Sequence, residues 1–139
     1  MIQYDKYNKL LILDSKKQSV SEIEPLISSV REIIPFSDDI YYNIIIAATE
    51  AVNNAIIHGN RLDSDKKVKI ELDVSDNTIC LMVEDEGVGF DASRIEDPRS
   101  PDNLLKIGGR GVFLINKLAD SAEFVRGNTG MLIKMYFHI

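Results

Sequence analysis

Cysteine is almost absent: Cys80 is the only one in 139 residues. No intramolecular disulfide can form, and no Cys/His cluster has the spacing of a zinc site. That scarcity fits a reducing compartment and a chain without structural metal. Long apolar runs are missing too. No stretch approaches the ~20 apolar residues of a membrane span. The opening MIQYDKYNKLLILDSKK has neither the apolar core nor the small-residue cleavage site of a signal peptide. The expectation is a cytoplasmic protein with no membrane partner. Positive charge is in deficit as well, with 16 Lys+Arg against 22 Asp+Glu and a formal net charge of −6. A nucleic-acid module usually presents a basic face, so DNA and RNA are disfavoured as direct partners. Repeats and low-complexity segments are also lacking. A hydrophobic share of 45% and a charged share of 27% are those of an ordinary globular domain. The length predicts one domain over residues 1–139, able to bury roughly two thirds of its unfolded surface without a covalent staple.

Periodicity then divides the chain. The LLIL run near the start suits a short strand. The following S-V-S-E reads as a capping box, with Ser19 at the N-cap and Glu22 at the third helical position. It leads into Ile23, Leu26, Ile27, Val30 and Ile34 at helical spacing, predicting a first helix over about 20–34. Pro35 interrupts it. Ser37 or Asp38 can cap a longer, mostly apolar helix that runs to Gly59 as a terminal glycine. Residues 67–74 alternate polar and apolar, residues 78–84 form an apolar run, and Ser75-Asp76-Asn77 between them has turn chemistry. Residues 91–107, with Pro98 and Pro101, show no period and read as a mobile loop. GGRGVFLINKLAD reads as a glycine turn feeding a short helix, and AEFVRGNTGMLIKMYFHI as a final hairpin. This order of elements describes an α+β two-layer sandwich, with helices on one face of a mainly antiparallel sheet.

Three motifs stand out. In TEAVNNAIIHGN, residues 49–60, Glu50, Asn54 and His58 recur every four residues and share one helix face; Asn53 points elsewhere. The triplet fits a buried polar network or a solvent-facing line. It also fits a working site in which Glu is a general base and Asn an oxygen ligand for Mg²⁺. His58, beside the terminal glycine, reads as a hydrogen-bonding residue at the helix end. In VEDEGVGFD, Asp85 with Gly87 and Gly89 ends a strand. This is either a plain turn or a place where a flat ligand approaches the backbone while Asp85 accepts a hydrogen bond from an exocyclic amine. Gly87-x-Gly89-x-x-Ala92 also matches a dinucleotide fingerprint. The following Pro-containing loop lacks the helix and parallel strand that such a unit needs. Gly108-Gly109-Arg110-Gly111 precedes VFLINKLAD. It is either a flexible hinge or an anion site of free N–H groups at a helix start, with Arg110 adding a fork-shaped donor. There is no G-x-x-x-x-G-K-[ST] P-loop and no H-R-D or D-F-G signature.

The order of these motifs is more specific than any one of them. It resembles the N box, G1 box and G2 box of the GHKL ATPase superfamily (the Bergerat ATP-binding fold) over nearly the whole chain. At this length, with TEAVNNAIIHGN, VEDEGVGFD and GGRGVFLI, it is most similar to the bacterial anti-sigma-factor serine/threonine protein kinases. The resemblance implies ATP held between helices and sheet. Glu50 would be the general base, and Asn54 would hold Mg²⁺ against the phosphates. Asp85 would accept from the adenine amino group, with Gly87 and Gly89 shaping the purine pocket. Gly108, Gly109 and Gly111 would line the phosphate loop, with Arg110 near the γ-phosphate. It further implies phosphoryl transfer to a serine of a STAS-type anti-sigma-factor antagonist, and a sigma factor as competing partner. It suggests a homodimer built from helix one and the exposed strand. The chain departs from the family's Gly-Thr pair entering the last strand: Gly130 aligns with the glycine, Met131 stands in place of the threonine, and Thr129 lies one residue earlier. No helix pair bearing a phosphoacceptor histidine precedes the domain, which disfavours a two-component histidine kinase. The alternative expectation is a nucleotide-responsive partner-switching module with little phosphotransfer.

Overall fold

The inward rows of the sheet follow from strict alternation. In the segment KVKIELDVS, Val68, Ile70, Leu72 and Val74 are buried and the charged residues between them face out. Ile79, Leu81 and Val83 do the same in the neighbouring strand, and Ile133, Met135 and Phe137 in the last one. The computed structural model describes residues 7–87, 109–127 and 130–139. Within them the elements are β1 (Tyr7–Asp14), a 3₁₀ segment (Lys17–Glu22), α1 (Ile23–Ile33), α2 (Asp38–Asn53) and a π-turn (Asn54–Gly59). They continue as β2 (Lys67–Ser75), β3 (Thr78–Glu84), α3 (Gly109–Leu118), β4 (Ser121–Arg126) and β5 (Met131–His138). Three helices cover one face of a five-stranded sheet in the order β1-β2-β3-β5-β4. Every pairing in it is antiparallel.

Register places Ile70 opposite Val83, and Leu72 opposite Leu81, which in turn faces Met135. The apolar side chains therefore line up across strands, and a slip of one residue would turn each of them to water. The β2–β3 hairpin closes through Asp76 and Asn77 at φ 50° and 58°, with Ser75 paired to Thr78. Two left-handed central residues make the tight turn whose twist matches the strands. The expected turn chemistry thus sits where it was read.

The second helix begins as its sequence requires: the Ser37 hydroxyl accepts from the Ile40 N–H at 3.2 Å. Ala47, Ala48 and Ala51 are fully buried along α2, and small side chains there let the helix lie close to its neighbours. Ser37→Ala is expected to cost about 1 kcal/mol, read as a lower urea midpoint with an unchanged slope.

Two helix boundaries differ from expectation. The capping box does not form, because Lys17–Glu22 winds as a 3₁₀ segment and α1 starts only at Ile23. Ser19 is buried and Glu22 gives no side-chain cap. Pro25 lies in the first turn of α1, where it has no N–H to satisfy, so fewer donors there need a cap. The second difference concerns Gly59, which does not terminate α2 in the left-handed conformation. The α-helix widens into the π-turn at Asn54, and the left-handed residues are Arg61 and Leu62, at φ 53° and 59°. Among the described residues no helix is long and apolar enough to cross a membrane.

Candidate nucleotide site

Glu50 lies in the last α-helical turn of α2, half-buried, one turn before Asn54. Asn54 opens the π-turn and is 6% exposed. A π-turn holds more than four residues per turn, so the regular line of three bends after Asn54 and carries His58 off it. His58 is half-buried, and desolvation pulls its imidazole below the ordinary histidine value, towards the neutral form. Among the described residues its ring has no hydrogen-bond partner, so the helix-end hydrogen bond expected of it is not made there.

The Asn54 carboxamide is the notable group on this helix. Its Nδ2 is buried and has no partner among the described residues, a state that costs about 1–3 kcal/mol in a folded protein. The first turn of α3 lies on top of it: a Cβ added at Gly111 would stand 2.5 Å from that nitrogen. Only a residue without a side chain allows α3 to start there. Gly109, Arg110 and Gly111 are the first three residues of α3, so the helix begins three residues earlier than a glycine turn ending at Gly111 implied. The N–H groups of a helix's first turn have no partner within the helix and carry its positive dipole end. They therefore gather beside Asn54. Gly89, Gly108 and the expected loop over 91–107 lie outside the described residues.

Asp85 follows β3 and is 7% exposed. Its N–H donates to the Met131 carbonyl at 3.0 Å, continuing the ladder towards β5. Its Oδ1 accepts from the Gly87 N–H at 3.0 Å and the Met131 N–H at 3.3 Å. Among the described residues Oδ2 has no donor. Burial pushes this carboxyl above the usual range, and the two N–H groups pull it partly back. Three glycines make room for it. A Cβ on Gly59 would strike the Asp85 carboxyl, one on Gly87 the Gly59 carbonyl, and one on Gly130 the Asp85 carbonyl. Met131, standing where the resemblance places a threonine, serves this carboxylate through its backbone N–H.

Sequence reasoning missed Asn60. Its side chain is 1% exposed and bonds to Ser15, Lys67 and the Glu86 N–H. An asparagine after a helix-ending glycine looks like an ordinary cap, and nothing local to it points to Glu86.

An antiparallel sheet under helices, with a buried carboxylate at a strand end and a helix N-terminus beside a buried carboxamide, is the arrangement of an ATP-binding α+β sandwich. The chain belongs to the family of the histidine kinase-like ATPase domain, whose model matches residues 13–137. It is 27% identical over 131 residues to the serine-protein kinase RsbW of Oceanobacillus iheyensis, covering 90% of this chain and 82% of that one. It is 36% identical over 98 residues to an anti-sigma F factor of Clostridium perfringens, covering 67% of this chain and 69% of that protein. Among solved structures, the RsbU and RsbW domains of Rv1364c from Mycobacterium tuberculosis match 95% of this chain with a TM-score of 0.71 at 16% identity. This chain spans about a third of that longer one, 32% of its length. The histidine kinase AdeS of Acinetobacter baumannii shares the fold at a TM-score of 0.51 and 16% identity.

Proposed function

We infer that this chain is an ATP-dependent protein serine kinase of the partner-switching type, acting also as an anti-sigma factor. The observation that carries the reading is the buried Asn54 Nδ2, which has no partner among the described residues, set under the first turn of α3 at Gly111 and one helical turn from Glu50. Similarity to a serine-protein kinase over 90% of the chain supplies the class of reaction.

The residues divide the nucleotide between them. Asp85 takes the adenine end, offering Oδ2 to the exocyclic amine, while Gly87 and Gly130 keep the backbone close. Gly109, Arg110 and Gly111 open α3 and present N–H groups to the phosphates. Among the described residues no three His, Cys, Asp or Glu side chains cluster to hold a metal unaided. Asn54 fits Mg²⁺: rotating its amide puts an oxygen where Nδ2 has no partner among the described residues. Mg²⁺ bound there would offset negative charge on the phosphates. Glu50 accepts the proton of the attacking serine hydroxyl. The serine oxygen bonds to the γ-phosphorus as the bond to the β–γ bridging oxygen breaks, leaving ADP and phosphoserine. Catalysis of this kind is mainly positioning and charge stabilisation.

The acceptor in this reading is a serine on a STAS-type anti-sigma-factor antagonist, and a sigma factor competes for the same chain. In the same reading this chain folds as one domain and works in the cytoplasm as a homodimer, with no direct contact to nucleic acid. The test combines the chain with Mg²⁺, ATP labelled on the γ-phosphate and a STAS-type antagonist, and locates the label by mass spectrometry. Phosphoserine on the antagonist is the expected result. ATP binding without transfer would replace the kinase with a nucleotide-responsive switch, and no ATP binding would remove both.

A further inference from the structure

Asn60 uses every polar atom of its side chain, and it does so between parts of the fold that are far apart in sequence. Nδ2 donates to the Ser15 hydroxyl at 2.8 Å and to the Lys67 carbonyl at 2.9 Å. Those two bonds clamp the end of β1 to the start of β2, reinforced by the bond from the Ser15 hydroxyl to the Lys66 carbonyl at 2.5 Å. They account for a structural asparagine. The third bond goes elsewhere: Oδ1 accepts from the Glu86 N–H at 2.8 Å. Glu86 is the residue between Asp85 and Gly87, and the Gly87 N–H is one of the two donors that hold the Asp85 carboxylate. The same turn is gripped from a second side, since the Glu86 carboxylate accepts from the Lys67 N–H at 2.9 Å. On a third side Gly87 lies against the Gly59 carbonyl, one residue before Asn60. The peptide that aims Asp85 is therefore set by the residue that ends the π-turn of the helix carrying Glu50 and Asn54.

We propose that Asn60 is a positioning residue of the nucleotide site, fixing the direction of the Asp85 carboxylate through the Glu86 N–H and locking the adenine end to the helix that carries Glu50 and Asn54. This rests on the reading of Asp85 as the adenine acceptor. A group that acts in this way changes affinity for the part of the ligand that meets Asp85, and leaves the transfer step alone.

The test uses the full chain, with adenosine and ATP as probes in calorimetry and phosphotransfer measured at saturating ATP. Asn60→Ala is expected to weaken adenosine and ATP alike, on the order of tenfold, with kcat at saturating ATP within about twofold of the native value. Asn60→Asp keeps an oxygen facing the Glu86 N–H and is expected to recover most of the lost affinity. It forfeits the bonds to Ser15 and Lys67 and stays less stable. Ser15→Ala removes a clamp bond without touching Glu86, so it lowers the melting temperature and leaves adenosine affinity unchanged. A folded Asn60→Ala chain with native adenosine affinity would overturn the proposal, as would affinity that fails to return in Asn60→Asp. Should Asn60→Ala not fold, amide hydrogen exchange in the native chain decides: the Glu86 amide is expected to be protected without nucleotide, and exchange at the rate of an exposed amide would overturn the role. Failure of the wider reading looks different, because the native chain would then bind neither adenosine nor ATP. Asn60 would in that case stand or fall on whether the Glu86 and Gly87 amides lose protection in Asn60→Ala.

Discussion

Phosphotransfer by Glu50→Gln is expected to fall by about two to four orders of magnitude, the range over which positioned general bases contribute, while ATP affinity stays within about twofold of native. The separation follows from where the groups sit. Glu50 lies in the final α-helical turn of α2, half-buried. In the proposed reading the adenine end meets Asp85, and the phosphate end meets the first turn of α3. Glutamine keeps the length and helix propensity of glutamate, so the packing of α2 on α3 survives. What it removes, in the proposed reading, is the acceptor of the serine proton, a loss felt in the transfer step and not in ground-state binding. Single-turnover transfer from labelled ATP, run beside calorimetry on the same preparation, separates the two quantities. Transfer within tenfold of native would show that another group takes the proton, and a parallel loss of ATP affinity would show that Glu50 holds the nucleotide.

What was legible in the sequence is what neighbouring residues decide among themselves. Strands β2 and β3 declare themselves by alternation, and their turn by Asp76 and Asn77, because each depends on residues a few positions apart. The Ser37 cap and the four-residue spacing of Glu50 and Asn54 are local in the same sense. What escaped is decided across the fold. Gly59 looked like a helix terminator, yet its constraint is the carboxyl of Asp85, which arrives from another strand. The π-turn that moves His58 off the Glu50–Asn54 line leaves no mark in residue type. The start of α1 failed for a related reason: Ser19 turned inward and became buried, so its hydroxyl could not serve the helix start that the local pattern assigned to it. Asn60 escaped for the same cause as Gly59. The glycines of the site were visible as residues, whereas the reason for each one was not.

Asp85→Asn should move stability and binding in opposite directions. In the native chain burial raises the carboxyl's pKa above its unfolded value. The fold therefore favours the protonated form, and stability declines as pH rises from the ordinary carboxylate range through the raised value. At neutral pH the ionised group is a standing cost to the fold. Asparagine keeps an oxygen for the Gly87 and Met131 N–H groups, carries no charge and escapes that cost. Without nucleotide the variant is expected to melt higher than the native chain at pH 7, with the gap closing at acid pH where both side chains are neutral. Binding runs the other way. Losing a charge-assisted acceptor for the adenine amine is expected to weaken ATP on the order of 10–100-fold. At ATP near 100 times the native Kd, ligand binding adds about 2.7 kcal/mol to the native fold and about 0.4–1.4 kcal/mol to a variant weakened 100- to 10-fold. The order of the two melting temperatures is expected to invert when ATP is added, provided the gain of the empty variant is smaller than that difference. A variant less stable than native without nucleotide would show that the ionised carboxylate is favourable in place. Equal shifts with ATP would remove Asp85 from the adenine site. An inversion ties the instability of the empty site to its use, since the charge that weakens the fold is the one that recognises the ligand.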